Sequence, residues 1–366
     1  MGQFIGAFSS TVRGELDAAG CRACCACLPG ACGAGIIEPA MLTFGMEEEV
    51  FVTEPERPTL RSLYYLAKLL ARDPRFYYTH SAHNFARGRD IKQGLMSGVE
   101  ISTIISSDVE ALADDLQRRR ADLSAVCSGL VVPIGHLLNY DAPSNTCAVH
   151  IHIGGLADKR RVYANMIHFL PVLPLFTINS PMVGGQYFGQ SYRISESFAI
   201  GPIGPDWRVR FQDVILSKRL GTIELRVCDP CWDMSRIRYL LRAVKAIAEL
   251  DETLDPNIER YNALRQGISR HGLLDETADV LEELKSIVDF PTHILARSAS
   301  DELAEVYKSD GLLGAYSALD NGYRNGKFEP REISQTQRSH IAKGVVGFVG
   351  YFLPRLPYYA WKGLVE

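Results

Sequence analysis

The chain is predicted to be an α+β protein, with polar-faced β-strands carrying the chemistry and amphipathic helices packed around them. Three observations lead there. Segments at 43–51, 97–103, 148–154 and 221–226 alternate in character with a period of two, as half-buried strands do. Other stretches repeat apolar residues every three or four positions, the stripe of a helix packed on a core. The two kinds of element are mixed without the strict alternation that builds a parallel doubly wound sheet. No internal repeat or low-complexity linker interrupts residues 41–366, which are expected to form a single domain.

In chain order, Thr43–Phe51 is the first strand, with Glu47 and Glu49 on one face and Phe44, Met46 and Glu48 on the other. Pro55 and Pro58 then mark a loop, and Thr59–Ala71 reads as a helix striped by Leu60, Leu63, Leu66, Leu69 and Leu70. Ser97–Thr103 sets a single acid, Glu100, in a β-branched run. Asp108–Leu130 is expected to be a helix capped by Ser107 or Asp108, with Arg118, Arg119 and Arg120 on a solvated face. Ala148–Gly154 spaces His150 and His152 as a strand does, and Lys159–Leu170 is a third helix. Gly221–Arg226 puts Glu224 and Arg226 on one face of a strand. Asp233–Leu250 is a fourth helix, and helices over Asn257–Ser269 and Glu276–Val288 complete a helical C-terminal third.

Composition narrows the possible roles. With 366 residues, 46% of them hydrophobic, the chain can bury a large core. A formal net charge of −4, without a basic stripe interleaved with aromatics, gives no footing for nucleic acid. The best apolar runs, Phe169–Ile178 and Gly344–Leu353, are short or broken by Pro171 and Pro174, so no membrane partner is expected. Met1–Ser10 lacks the basic start of a signal peptide, and a cytoplasmic home with reduced thiols is the expectation. Five of the nine cysteines, Cys21, Cys24, Cys25, Cys27 and Cys32, crowd a segment without a second spaced Cys/His pair. Residues 1–40 are therefore expected to be a flexible extension, with Met41 an alternative start. Cys228 and Cys231 have redox-type spacing but no thioredoxin-like surroundings, and are expected to be two small thiols in a turn.

Glu47, Glu49, Glu100 and Glu224, the two histidines and Arg226 thus fall on strands. Two like charges on one face repel unless a cation lies between them, and an oxygen-rich set with imidazole favours Mg²⁺ or Mn²⁺ over structural zinc. A guanidinium beside a metal-binding acid suits a polyphosphate. The chain has no glycine-rich Walker or Rossmann loop, so a nucleotide would have to be held by metals and arginines.

The motifs Phe44-Gly45-Met46-Glu47-Glu48-Glu49, Val99-Glu100-Ile101-Ser102-Thr103, His150-Ile151-His152-Ile153-Gly154, Asn179-Ser180-Pro181 through Gly185 to Ser191-Tyr192-Arg193, and Gly221-Thr222-Ile223-Glu224-Leu225-Arg226 occur in that order. In this the chain resembles the second family of glutamate-cysteine ligases, the bacterial carboxylate-amine ligases related in fold to glutamine synthetase. The similarity runs from about Thr43 to Asp229, with a weaker tail to Leu274. The resemblance implies a curved antiparallel sheet with its active site on the concave face and helices outside. It implies Glu47, Glu49, Glu100, His150 and Glu224 as metal ligands, His152 and Arg226 facing ATP phosphates, and Arg193, with Tyr192 beside it, at a substrate carboxylate. The implied reaction activates a glutamate-like carboxylate with ATP to an acyl phosphate, which an amine such as cysteine attacks to give a γ-glutamyl amide.

The family carries a further acid before the Glu100 motif, whereas here that stretch is Arg89-Asp90-Ile91-Lys92-Gln93. It also carries an arginine two residues after an aspartate preceding the last motif; here Asp213 is followed by Val214 and Ile215, leaving Lys218 or Arg219 as candidate phosphate contacts. Two alternatives stand beside the ligase. One is a metal-dependent hydrolase, since the same ligands activate water; Arg193 and Arg226 weigh against it, because hydrolysis needs no triphosphate clamp. The other is a catalytically decayed binding or regulatory protein of the same fold. The oligomeric state, including a homo-oligomer, stays open.

Overall fold

The structure is a computed structural model that describes residues 41–59, 61–80, 98–141, 146–197, 199–201, 212–217, 220–333 and 341–355. Residues 1–40, Lys218, Arg219 and the stretch around Asp90 lie outside the described residues, and with them the expectations placed there.

The centre is a seven-stranded sheet in the order β2-β3-β1-β5-β9-β8, with β4 also paired to β1. Its strands are β1 (Thr43–Thr53), β2 (Tyr77–His80), β3 (Gly98–Ser102), β4 (Leu130–Val132), β5 (Val149–Gly154), β8 (Val214–Ser217) and β9 (Thr222–Cys228). Every pair is antiparallel, as the resemblance implied. A two-stranded ribbon, β6 (Met182–Val183) with β7 (Gln186–Tyr187), stands apart from it. Helices α1 (Arg61–Arg72), α2 (Val109–Val126), α3 (Lys159–His168), the single turn α4 (Tyr192–Ser195) and α5 (Met234–Glu249) are interspersed with the strands. After them come α6 (Ile258–His271), α7 (Ala278–Ile287), the turn α8 (His293–Ala296), α9 (Ala299–Asn325) and α10 (Ile341–Phe352).

Alternation decides which face the helices cover. Phe44, Met46, Val50, Val99, Ile101, Val149, Ile151, Ile153, Ile223 and Leu225 are all essentially inaccessible and join one core with residues of α1, α2, α3 and α5. Each such aliphatic side chain taken from water contributes roughly 1.5–3 kcal/mol. Glycine permits two close features. Gly221 turns the chain from β8 into β9 at φ +66, a conformation costly for residues with a Cβ, and at Gly347 a Cβ would lie 2.4 Å from Tyr64 N, so α10 lies directly on α1.

The second helix is shorter than expected. It ends at Val126, beyond which Ser128 and Gly129 break the helix and Leu130–Val132 pairs along the far half of β1. The long helix α9 was not expected; it opens with a Ser298/Asp301 capping box and kinks at Gly311, where φ is 69.

The arginine run is also not the solvated face expected of it. Only Arg118 is open, its side chain 70% exposed, while Arg119 stacks 3.6 Å from the centre of the Phe76 ring. Arg120 is buried. It donates through Nε to Glu48 Oε2 at 3.0 Å, through a second, shorter bond to Glu48 Oε1, and to the Cys231 carbonyl at 2.7 Å, with the Tyr323 ring 4.7 Å away. The reason is the parity of β1: with Glu47 and Glu49 on the polar face, Glu48 must enter the core, and a buried carboxylate needs a cation and hydrogen bonds.

Removing Arg120 alone, as Arg120→Ala, is expected to cost about 3–5 kcal/mol of unfolding free energy, since it strands the Glu48 charge. The double substitution Glu48→Gln with Arg120→Met should recover most of that loss. Urea denaturation of the three proteins checks this; a loss below about 1 kcal/mol for Arg120→Ala would show that the pair does not hold β1 in place.

Candidate functional site

The polar face of the sheet gathers the predicted residues from four strands by register alone. Glu47 lies opposite His150, Glu49 opposite Glu100, and His152 opposite Glu224. His150 Nδ1 is 3.5 Å from Glu47 Oε2 and 3.6 Å from Glu224 Oε1, and His152 Nε2 is 3.5 Å from Glu47 Oε2. Glu100, His150 and Glu224 are buried although they face away from the apolar core.

Glu47, His152 and Glu224 each offer a ligand atom, and these atoms all lie within 4.8 Å of one another. His152 Nε2 is buried without a hydrogen-bond partner, while Nδ1 on the other side of the ring is 3.4 Å from Thr222 Oγ1. Two carboxylates and an imidazole nitrogen suit a divalent cation once the ring gives up its proton, and a partner on the second ring nitrogen orients such a ligand. The resemblance places His150 on the metal and His152 at phosphates; the geometry brings both histidines to Glu47 and puts His152 in the trio. Glu49 and Glu100 stand next to it on the β3 side, with Glu49 Oε2 accepting from Ala148 N at 2.8 Å. Thr222 was missed from the sequence, though its position two residues before Glu224 places it on the same face.

Arg226 completes the polar face. It donates to Glu224 through a short charge-assisted bond, and the carboxylates of Glu224, Glu49 and Glu47 raise its pKa against the effect of burial. Burial pushes Glu47 and Glu224 upward, yet both stay below their usual 4.5: His152 and His150 outweigh it at Glu47, and Arg226 followed by the histidines at Glu224. His152, which burial alone would push down, is held above its usual 6.5, chiefly by Glu47.

β9 carries a bulge here. Val149 pairs with Cys228 and Ile151 with Leu225, so Arg226 and Val227 together face the single residue His150. Strict alternation would turn Cys228 to the site; after the bulge both Val227 and Cys228 are in the core. Burial lifts the thiols of Cys228 and Cys231 to about 12, and both are free; the turn expected to hold them is absent, since Cys228 is the last residue of β9.

Arg193, expected at a substrate carboxylate, points to this bulge. Its terminal nitrogens donate to the carbonyls of Val227 at 2.7 Å and Arg226 at 2.6 Å, with Asp229 Oδ1 3.4 Å away. Asp229 is a buried hub that the sequence did not reveal: it accepts from Asn179 N, Ser180 Oγ and Ser191 Oγ, each at 2.9 Å. The Asn179–Arg193 motif thus converges on the end of β9. Tyr192 is half-buried, its ring edge-on to His136 at 4.7 Å and Phe188 at 5.2 Å. Asp213 is buried and bonded to the Tyr261 hydroxyl at 2.7 Å, and Ile215 stands opposite Glu224.

No protein-family model matches the chain, and no curated protein does. Among solved structures it is similar to a glutamate-cysteine ligase from Francisella tularensis in complex with AMP, at 10% identity and a TM-score of 0.53 over 86% of this chain and 94% of that one. A bifunctional glutathione synthetase from Pasteurella multocida gives 13% identity and a TM-score of 0.49 over 78% of this chain, which spans about half (52%) of that protein. The ligase PafA in complex with the ubiquitin-like protein Pup gives 12% identity and a TM-score of 0.44, over 79% of this chain and 65% of that one. The class defined here is one of fold: a mixed protein of helices and antiparallel sheet whose architecture is similar, over 86% of this chain, to that of the Francisella glutamate-cysteine ligase. The resemblance carried by the five motifs holds at that level.

The charge cluster stabilises the fold within a defined pH window. The His152 contribution is complete below its unfolded value near 6.5 and is lost as pH rises through the higher folded value; those of Glu47 and Glu224 are complete above 4.5 and lost as pH falls through the lower folded values. In chelator, His152→Asn should therefore destabilise most between pH 4.5 and 6.5 and progressively less toward alkaline pH. Denaturation of both proteins across pH tests this; a difference independent of pH would remove His152 from the charge cluster.

Proposed function

We propose that the protein is an ATP-dependent carboxylate-amine ligase of the glutamate-cysteine type, joining a glutamate-like amino acid to an amine through an acyl phosphate. The observation that carries this proposal is the convergence of Glu47, His150, His152, Glu224 and Arg226 on one sheet face, within a fold shared with a ligase crystallised with AMP. Glu47, His152 and Glu224 would hold one divalent ion, Mg²⁺ or Mn²⁺, with His150 against both carboxylates and Glu49 and Glu100 next to them. When bound, such an ion neutralises phosphate charge and aligns the nucleotide.

The chain's own residues would do the rest by position and charge. Arg226, fixed at Glu224, presents a guanidinium to phosphate oxygens on which charge develops during transfer. With a metal bound, Thr222 beside Nδ1 would orient the neutral ring of His152 so that Nε2 is the lone-pair donor. The substrate carboxylate oxygen attacks the terminal phosphorus and ADP departs; the amine then attacks the acyl carbon, phosphate leaves and the amine loses a proton. No protein nucleophile is required, so the contribution of the fold is orientation.

One observation favours a second reading. Ile215 faces Glu224 where the resemblance implies an arginine, which suits a protein of this fold that binds nucleotide and turns it over slowly or not at all.

The test is ADP release with glutamate, Mg²⁺ and a panel of amines, with the product weighed by mass spectrometry. Amine-dependent ADP and an amide of the expected mass support the ligase. Amine-independent phosphate release supports a hydrolase, and tight Mg-ATP binding without turnover supports the decayed protein. Glu224→Gln is expected to lower both kcat and metal affinity by about tenfold or more, since it removes a ligand charge at nearly constant shape. Nucleotide binding should vanish with chelator, because the acids alone repel phosphates.

A further inference from the structure

The β9 bulge sets two residues, Arg226 and Val227, opposite one residue of β5, and Arg193 donates to the carbonyls of both. The same guanidinium lies 3.4 Å from Asp229, which Ser191 and Ser180 also bind. Ser191 caps the single turn that presents Arg193, its Oγ accepting from Ile194 N at 3.1 Å. Each feature bears on the next: the bulge sets where the Arg226 backbone sits, the Arg193 fork sets the bulge, and the Asp229 hub sets the fork.

From this geometry we infer that Arg193 is a positioning residue for Arg226: it locks the β9 bulge and so aims the phosphate-facing guanidinium, and it does not itself hold the substrate carboxylate. The inference rests on the proposed function only for what Arg226 faces; the lock on the bulge does not depend on it. A planar fork with two parallel donors matches two successive carbonyls, whereas an ammonium on a flexible stem reaches them as a single point. Arg193→Lys therefore keeps the charge beside Asp229 and loses the lock.

The experiment is a double-mutant cycle of Arg193→Lys and Arg226→Met on the full chain, read by calorimetry with Mg-ADP and by hydrogen exchange of the peptides covering 43–53 and 222–229. Arg193→Lys should weaken Mg-ADP about as much as Arg226→Met does, on the order of tenfold, and the double variant should bind no worse than Arg226→Met alone. Exchange over 222–229 should speed up in Arg193→Lys while 43–53 stays unchanged, which a general loss of stability would not produce. The inference is overturned if the two effects multiply in the double variant, if exchange over 222–229 is unaltered, or if Arg193→Lys raises the KM for glutamate with Mg-ADP affinity intact. Should the parent protein bind no Mg-ADP, the proposed function falls and the lock is decided by the exchange result alone.

Discussion

Three consecutive glutamates in a central strand constrain everything else in this molecule. Because side chains alternate, Glu47, Glu48 and Glu49 cannot share a face: two acids are delivered to the polar surface and one is driven into the core. The buried one is tolerable only because Arg120 reaches it from α2 and ties it to the Cys231 carbonyl just past β9. One ion pair thus fixes β1 against the helix layer, and the neighbouring strands take their register from β1.

On the polar side the same economy of charge recurs. Glu47 and Glu224 would repel across a low-dielectric surface, but His150 and His152 lie between them and Arg226 closes the row, so Glu47, Glu224, His152 and Arg226 are favoured in their charged forms. Under the proposed function a site balanced in this way would exchange the histidine proton for a metal ion, and metal affinity would be coupled to pH. The second layer, Thr222 behind His152 and the Asp229 hub behind Arg193, supplies direction. Around the Asp229 carboxylate it is built from hydroxyls, a backbone amide and carbonyls, which carry little signal of their own in a sequence.

The motif strands were legible because period-two alternation survives in a sheet with one apolar face. Glu47, Glu49, Glu100, His150, His152, Glu224 and Arg226 could all be assigned to one kind of face before any pairing was known. The short strands β2, β4 and β8 were not, since three or four residues hold too few repeats to show a period. The arginine run was misjudged for a related reason: three successive helix positions span most of the circumference, and only the location of Glu48 selects Arg120 for burial.

The sequence by itself determined which residues alternate, which faces are polar and which donor atoms were available to a cation, because these follow from local geometry. Tertiary structure alone decided who meets whom. That His152 joins Glu47 and Glu224, that Glu49 faces Glu100, and that Arg193 turns to the backbone of β9 depend on strand order, register and one inserted residue in β9. Such choices are settled by the summed packing of the whole core, and a one-residue shift in register would have sent every one of these side chains to the opposite face.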